Sequence, residues 1–481
     1  MRRLGKLLFF HGLPAFQRQR LWQYASKDGM AVAVLLALFV CRGVLASVVV
    51  PPWQGPDEPT HFALAAELAL PPGIWRSADL EFLSDRANIT NSVTTDVQRQ
   101  VLESMARHRF WEPYGVKAPD PLPELFVDAG AISAGTLSQP LYYGLAASML
   151  RVVPTRSVDQ QYAVLRMLSV ALSVFTLVFG WAGTRALFGS RIGVGAMAVG
   201  ALHPQFLLVS IAVNPDVLVS TIAAFMWWQL AMVMTGQRRA MSCVLLVVAA
   251  AAALLTKRSS VPFVGATMLA LMSLLLPQKL RAPAFARVVV GGTVIAALGL
   301  AAVLSFAEGP WTPLMTLWRG IFQVNRPIAA ATPAVALEYL RIGVDYAWLM
   351  AGWQRFAPPA PWLWTARILT LTGAPGALLA LVRCVGPLRQ RLALAWLLVF
   401  VQVYAVIVPG FWSSAAPQGR YLFSVLAPIG VLLWLGIEQS CPASVRPYAG
   451  AALVGVLAVM DVIAFTAVLF PAYVPYVLYV P

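Results

Sequence analysis

The sequence predicts an all-α integral membrane protein with about 11 transmembrane helices, an inside N-terminus and an outside C-terminus. Of the 481 residues, 59% are hydrophobic and only 11% are charged, which would leave large apolar patches exposed on a soluble domain. Apolar stretches of about 18 or more residues recur between Met30 and Phe470. We therefore expect a single polytopic unit in a lipid bilayer.

Charge and cysteine usage argue against two other classes of protein. A net charge of +15 could indicate nucleic-acid binding, but the basic residues lie in short clusters between apolar runs, as the positive-inside rule produces in membrane proteins. The four cysteines are scattered without CxxC or other metal spacing, and they indicate no disulfide framework. We expect the lipid bilayer, and no nucleic acid, as a partner.

The first apolar run sets the orientation. Residues 30–50 are long enough to span a membrane and no small-residue cleavage site follows them, so we expect a retained helix rather than a signal peptide. Residues 1–29 are strongly basic and are predicted to be cytoplasmic. Residues 51–162 then form a large extracytoplasmic loop, and 12 of the 20 acidic residues lie between positions 51 and 138.

Two segments of this loop are predicted to be helices in the membrane interface. Residues 96–110 place four apolar side chains, from Val97 to Met105, on one helical face. Residues 138–154 are short for a span. If they do not cross, the later arginine-rich loops all fall on the cytoplasmic side with Glu438 as their only acid, so we predict that they do not cross.

The remaining elements follow from this topology. Transmembrane helices 2–7 are predicted in 163–307, a second extracytoplasmic loop with a re-entrant or interfacial piece near 333–351 in 308–361, helices 8–11 in 362–470, and an extracytoplasmic C-terminus in 471–481. The individual spans are predicted near 30–50, 163–184, 192–212, 217–235, 242–256, 261–277, 288–307, 362–382, 392–410, 421–437 and 448–470.

Unusual polar residues collect on the predicted outer side. Four segments deliver ionisable groups there, namely "PDEPTH" (Asp57, Glu58, His61), "NPD" (Asp216), "TKRSS" (Lys257, Arg258) and "PQGRYLF" (Arg420). The spans hold few such groups, whereas a secondary transporter usually buries charges near the midplane. Carboxylates beside cations suit transfer from a lipid phosphate, because a carboxylate takes the proton of the attacking hydroxyl while Lys or Arg holds the departing phosphate.

Seven motifs in order carry a family resemblance: "PPWQGPDEPTHF", "SQPLYYG", "LRMLS", "HPQFLLVSIAVNPD", "LTKRSS", "AWLMAGWQ" and "PQGRYLF". Over roughly residues 30–440, the chain resembles a family of bacterial polytopic membrane proteins of undefined function within the GT-C glycosyltransferase superfold. Protein O-mannosyltransferases and the aminoarabinose transferases of lipid A belong to the same superfold. The resemblance implies a GT-C-like fold with interfacial helices in the first outer loop.

The resemblance also implies a function and a set of roles. It implies inverting transfer of a sugar from a polyprenyl-phosphate donor to an envelope glycan, lipid or protein acceptor, in the inner (cytoplasmic) membrane of a bacterium. Asp57 matches the acidic base, with Glu58 and His61 beside it and Asp216 as a second outer carboxylate. Lys257 and Arg420 match positions where the superfold tends to place phosphate-binding cations. Further substrate-binding candidates from these motifs are Gln139, Tyr142, Arg258, Trp353 and Tyr421.

This sequence departs from the family pattern at two places. The segment "SQPLYY" has one proline where relatives often show two, and Gln354 follows Gly-Trp where an acid is common. The role of that second outer-loop position is therefore open.

Simpler roles stay open for several candidates. Asp57 and Glu58 before Pro59 form a helix start that needs no chemistry. Asp57 and His61 could share a divalent metal ion, although no third ligand stands nearby and we expect no cofactor. "NPD" is an ordinary turn sequence, and His203 before Pro204 suits a packed or capping histidine.

Two other functions also stay open for the whole chain. It would then be a transporter or flippase, or a non-catalytic assembly partner, for a lipid-linked envelope polysaccharide.

Overall fold

The computed structural model describes residues 15–70, 93–126, 140–153, 157–275, 333–353, 355–413 and 418–477, and these residues are almost entirely helical. The first ten helices are α1 (Ala15–Val49), α2 (Glu58–Ala69), α3 (Thr95–Arg107), α4 (Pro140–Val152), α5 (Val158–Phe188), α6 (Ser190–Ala201), α7 (Pro204–Ser210), α8 (Pro215–Met234), α9 (Arg239–Leu254) and α10 (Val261–Leu275). The later ones are α11 (Pro333–Trp348), α12 (Ala360–Arg383), α13 (Gly386–Ser413), α14 (Leu426–Ser440), α15 (Arg446–Ile463) and α16 (Phe470–Val477).

The predicted fold class, an all-α membrane protein, is confirmed. Seven helices of the described residues are long and apolar enough to cross a membrane, and α6 with α7 adds an eighth as a bent pair. Helices α9 and α10 are shorter but apolar, and they coincide with the predicted spans 242–256 and 261–277. The predicted span 288–307 lies outside the described residues. The total of about 11 spans and their orientation stay predictions.

The predicted span 192–212 is not one continuous helix, which corrects the sequence-based expectation. Helices α6 and α7 meet at an angle of 67°. Pro204 begins α7, where its missing N–H costs nothing, and proline disfavours helical geometry in the residue before it. His203 caps α7 by accepting the Phe206 N–H at 3.4 Å, and its ring stacks on Trp348. His203 is therefore the packed and capping histidine that the sequence suggested.

The described parts of the predicted first outer loop fold around their own apolar cluster. Helix α3 buries Val101, Leu102 and Met105, which lie on the face predicted from the sequence. Helix α4 has 13 residues, too few to span, and it packs against α2 and α5. The position of both helices in the membrane interface stays a prediction.

A buried arginine holds the end of α1 beneath this loop. Arg166 of α5 donates hydrogen bonds to the carbonyl oxygens of Ser47 at 3.0 Å, Val50 at 2.6 Å and Pro51 at 2.9 Å. These carbonyls have no intrahelical partner at a helix C-terminus, where positive charge is also favoured by the helix dipole. Residues 51–57 therefore leave α1 from a fixed point.

Two charges inside the predicted spans pair with each other. The guanidinium of Arg42 in α1 contacts the carboxylate of Asp461 in α15 and also donates to the carbonyl of Ala201, the last residue of α6. A lone charge in the hydrocarbon is costly, which favours the paired state. The contacts of Arg42 with Asp461 and Ala201 therefore join three helices at the break between α6 and α7.

Candidate functional site

Asp57 precedes α2, and its carboxylate does not bind the backbone N–H groups at the start of that helix. Its φ of 66° lies in the left-handed region, which is uncommon for a residue other than glycine. The side chain makes no capping hydrogen bond to the helix. Instead its Oδ2 accepts a hydrogen bond of 2.7 Å from Nη2 of Arg420, which is 363 positions away in the chain. The structure therefore disfavours the interpretation of Asp57 as a simple helix cap.

Asp216 is held next to the same arginine. Asn214 caps α8 by accepting the Asp216 N–H at 2.7 Å, so "NPD" does form the predicted turn. The Asp216 carboxylate, however, faces two cations: Oδ1 accepts from Nζ of Lys257 at 2.6 Å, and Oδ2 lies 3.4 Å from Nε of Arg420. The turn thus caps α8 through Asn214 and also positions the carboxylate of Asp216.

These four side chains form a row of alternating charge, Asp57–Arg420–Asp216–Lys257, which we call the ionic row. Its members are mostly buried, and the Asp57 side chain is the most accessible at 23%. The ring of Tyr421 lies beside both cations, with its centroid 4.9 Å from Nζ of Lys257 and 5.3 Å from Cζ of Arg420. Cations over an aromatic face are stabilised, so Tyr421 helps to hold both side chains in place.

His61 lies one helical turn after Asp57, and its side chain contacts a tyrosine hydroxyl. Its Nδ1 is 2.9 Å from the hydroxyl of Tyr143 in α4, and the residue is 5% exposed. Burial lowers the pKa of His61 to about 4, although the charge of Asp57 opposes the shift. Burial also disfavours ionisation of Asp57, but the charges of Arg420 and Lys257 and the hydrogen bond from Arg420 oppose this effect and hold the pKa of Asp57 below its usual value. The site thus pairs an ionised Asp57 with a neutral imidazole.

Glu58 points the other way from Asp57. It is 0% exposed, and its two carboxylate oxygens accept the backbone N–H of Gly55 at 2.7 Å and of Val213 at 2.9 Å. Its nearest cation is Arg166, whose Nη2 lies 3.9 Å away. Glu58 is therefore bound to backbone groups rather than to the ionic row.

The remaining candidates are spread around this centre. Tyr142 is fully buried in α4 and packs on Tyr143. Trp353 donates from Nε1 to the carbonyl of Trp53 at 3.1 Å and supports the outer loop. Arg258 begins a short 3₁₀ turn, and only its backbone is described. Gln139 and Gln354 lie outside the described residues.

Two cavities flank the segment Gly419–Val425, one with both polar and apolar residues on its wall and one lined almost entirely by apolar residues. The polar cleft has about 680 Å³ of empty space, part of it open to solvent, and Arg420 lies on its wall together with three glutamines, Gln54, Gln205 and Gln418. The apolar groove is larger, about 1320 Å³, and Leu422 and Phe423 from the same segment line it. One short segment therefore faces a polar space with its first residues and an apolar space with its later ones.

Sequence reasoning missed the glutamines of the polar cleft. Gln205 lies within a segment predicted to be an apolar span, and nothing local marks it as a site residue. Its Oε1 accepts the N–H of Met350 at 2.7 Å, which ties α7 to the loop after α11. Only the break between α6 and α7 brings Gln205 to the cleft.

A metal site is not visible in the part of the chain that the structure describes. There, no group of three or more His, Cys, Asp or Glu side chains is arranged to hold a metal ion. Asp57 and His61 have found protein partners instead, an arginine and a tyrosine.

Part of the chain matches a known protein family. Residues 152–306 match the family model described as dolichyl-phosphate-mannose-protein mannosyltransferase. The match covers about a third of the chain, and together with the membrane-spanning helices it supports a polytopic membrane protein of the GT-C superfold. The matched range contains Asp216, Lys257 and Arg258, and at the family level it supports a GT-C-type glycosyltransferase. No curated protein matches the chain.

Proposed function

We propose that this GT-C protein transfers a sugar from a polyprenyl-phosphate donor to an envelope glycan, lipid or protein acceptor on the outer face of the bacterial inner membrane. The observation that carries the proposal is the ionic row, where Asp57 and Arg420 are joined at 2.7 Å next to a polar cleft and an apolar groove. The family whose model matches, described by its dolichyl-phosphate-mannose donor, supports a lipid-linked sugar as substrate.

Asp57 would act as the general base. The acceptor hydroxyl attacks the anomeric carbon from the side opposite the phosphate, its proton passes to the Asp57 carboxylate, and the bond from the anomeric carbon to the phosphate oxygen breaks with inversion. A base must be ionised before the reaction, and Arg420 keeps the pKa of Asp57 low enough to ensure this. His61 is neutral and donates to, or accepts from, Tyr143, so it shapes the pocket.

Arg420 and Lys257 would hold the leaving phosphate. The departing oxygen takes the electron pair of the broken bond, and negative charge grows on the lipid phosphate as it leaves. Arg420 and Lys257 lie on either side of Asp216, and both are already desolvated. Charge-assisted hydrogen bonds from such cations are stronger than neutral ones, so the pair favours the charged product.

The apolar groove would take the isoprenoid tail. It lies directly beside the Arg420 segment, and its lining is aliphatic and aromatic apart from His203 and Thr370. A lipid tail gains by burying apolar surface there while its phosphate reaches the ionic row. The arrangement of groove, cation and carboxylate along one segment supports a lipid-phosphate sugar as donor.

The test compares the wild type with Asp57→Asn in a deletion strain, with equal membrane levels confirmed. We expect the variant to lose one sugar decoration of the envelope and to accumulate the polyprenyl-phosphate sugar, both measured by mass spectrometry. Removing a general base typically costs about 10² to 10⁴ in rate. Asp96→Asn is the matched control, because Asp96 pairs with Arg99 on the exposed surface of α3. Full transfer by Asp57→Asn would refute the assignment.

A transporter of a lipid-linked glycan is the second candidate. The break between α6 and α7 and the buried Arg42–Asp461 pair favour it, since transporters use discontinuous helices and intramembrane charges. Substrate counterflow in proteoliposomes without covalent change would support this candidate, and covalent transfer that depends on Asp57 would exclude it as the main activity.

A further inference from the structure

Glu58 is an acid in the site that the proposed reaction does not use. It follows Asp57 directly, yet it is 0% exposed, and its Oε2 lies 3.9 Å from the nearest nitrogen of Arg166. A buried carboxylate is costly unless hydrogen bonds satisfy it. Its position in the site therefore needs an explanation other than proton transfer.

The hydrogen bonds of Glu58 join two separate segments of the chain. Oε2 accepts the N–H of Gly55, in the loop that leads to Asp57, at 2.7 Å. Oε1 accepts the N–H of Val213, in the turn that leads to Asp216, at 2.9 Å. One carboxylate thus links the backbones that carry the two acids of the ionic row.

The fit around this carboxylate is tight. A Cβ added at Gly55 would lie 2.7 Å from Cδ of Glu58, so no larger residue fits there without movement. Asp57 meanwhile keeps a left-handed backbone, a conformation that persists only where the surroundings enforce it. The two Glu58 hydrogen bonds are among the contacts that anchor this loop next to Asp57.

We propose that Glu58 is a positioning residue that holds the Asp57 loop and the Asn214–Asp216 turn in register, so that both carboxylates bracket Arg420. The inference rests on the proposed function, because Asp57 and Asp216 matter as a pair only if Arg420 binds a phosphate between them. It assigns Glu58 no contact with the reacting atoms.

Glu58→Gln is the sharpest variant. The amide keeps the shape of the side chain but offers one acceptor oxygen and one NH₂ group, so one of the two backbone N–H groups faces another donor. Glu67→Gln is the matched control on the same helix, since the Glu67 carboxylate also accepts two hydrogen bonds, from the N–H and the hydroxyl of Thr94, at an exposed site. Gly55→Ala tests the same contact from the other side.

The readout separates positioning from a general loss of folded protein. In nanodiscs, with a polyprenyl-phosphate sugar as donor, we expect Glu58→Gln to lower kcat by about 100-fold, as misplacement of a catalytic group by roughly 1 Å does, with the donor KM within about threefold. The acidic limb of the pH profile should move to higher pH, because Asp57 loses its fixed contact with Arg420. A smaller folded fraction would lower the rate without changing KM or the pH profile.

A second measurement keeps the inference testable if the wild type transfers no sugar. Melting temperatures are compared for Glu58→Gln, Asp57→Asn and the double variant. Coupled positions should give a double-variant shift smaller than the sum of the two single shifts. No transfer by the wild type refutes the proposed function, whereas additive shifts refute the positioning role. An unchanged pH profile for an active Glu58→Gln protein would also overturn it.

Discussion

Arg42 and Asp461 pair inside the helix bundle, whereas the four members of the ionic row pair at helix ends beside a cleft. In the first case the guanidinium also binds the Ala201 carbonyl, so the charges hold three helices together. In the second, Oδ2 of Asp216 and Nε of Arg420 lie 3.4 Å apart and have no hydrogen-bond partner within the described residues, but Nε of Arg42 has none there either, so position beside the cleft is what distinguishes the row. Neither Arg42 nor Asp461 lines the polar cleft or the apolar groove.

The difference separates charges that stabilise from charges that bind. A buried pair between spans gains from staying closed, because opening it leaves a charge in hydrocarbon. A row at helix ends whose Arg420 lines a cleft can exchange one partner for a ligand at lower cost. We therefore expect changes in the first region to act on stability and changes in the second to act on transfer.

The largest effect is expected from opening the bundle pair. Arg42→Met leaves the Asp461 carboxylate without its cation, which should cost about 3–5 kcal/mol of unfolding free energy. The double variant Arg42→Met/Asp461→Leu should recover most of that loss, because both charges are then gone. Thermal unfolding in detergent measures both. A single variant as stable as the wild type would contradict the structural role of the pair.

Changes in the ionic row should reduce sugar transfer more than they reduce stability. Arg420→Gln should reduce transfer by roughly 10² to 10³, about 2.7–4 kcal/mol, because a charge that stabilises the leaving phosphate is lost. Adding Asp57→Asn should relieve the unpaired carboxylate and restore stability, but it should not restore transfer. Arg99→Gln, on the exposed face of α3, is the control. Recovery of transfer in the double variant would remove the distinction between the two regions.

Filling the apolar groove should have a smaller and more selective effect. Ala374 lines the groove from α12, and Ala374→Trp should slow transfer from a long-chain donor by about tenfold because the bulky side chain competes with the tail. Leu378→Trp, one turn further along the helix and 52% exposed, is the control. Transfer from a short-chain donor should be unaffected. Equal slowing for both chain lengths would place the tail elsewhere.

The smallest effect is expected from pH. Because the pKa of His61 falls from 6.5 to about 4 on folding, the unfolded chain takes up a proton first as pH drops. Stability should thus be complete above pH 6.5 and decline from there towards pH 4, with about 1 kcal/mol lost by pH 5.5. The lowered pKa of Asp57 acts only at more acidic pH, where its ionised form is lost.

The variant His61→Gln separates the contribution of His61 to the pH dependence of stability from that of other titrating groups. His108 also has a lowered pKa because of burial, but it is present in both proteins and cancels in the difference. We expect the melting temperature of the wild type to fall more than that of His61→Gln between pH 7.5 and pH 5.5. Equal falls would show that His61 does not titrate in this range.

The class of the protein and most of its helices follow from the order of the amino acids alone. Hydrophobic runs longer than about 18 residues have no stable place outside a bilayer, so composition located most of the candidate spans, although it did not reveal the break within residues 192–212. The periodicity of residues 96–110 predicted the buried face of α3, and His203 was predicted to be a packed or capping histidine. These features depend on neighbours in the chain, which the sequence displays directly.

Which charges meet depends on how distant helices pack. Asp57 and Arg420 are 363 residues apart, and Arg42 and Asp461 are 419 apart, so no local pattern pairs them. Asp57 and Glu58 are adjacent and chemically alike, yet one faces Arg420 and the other binds two backbone N–H groups. Burial and partner geometry set the role of an acid, and both arise only when distant helices pack.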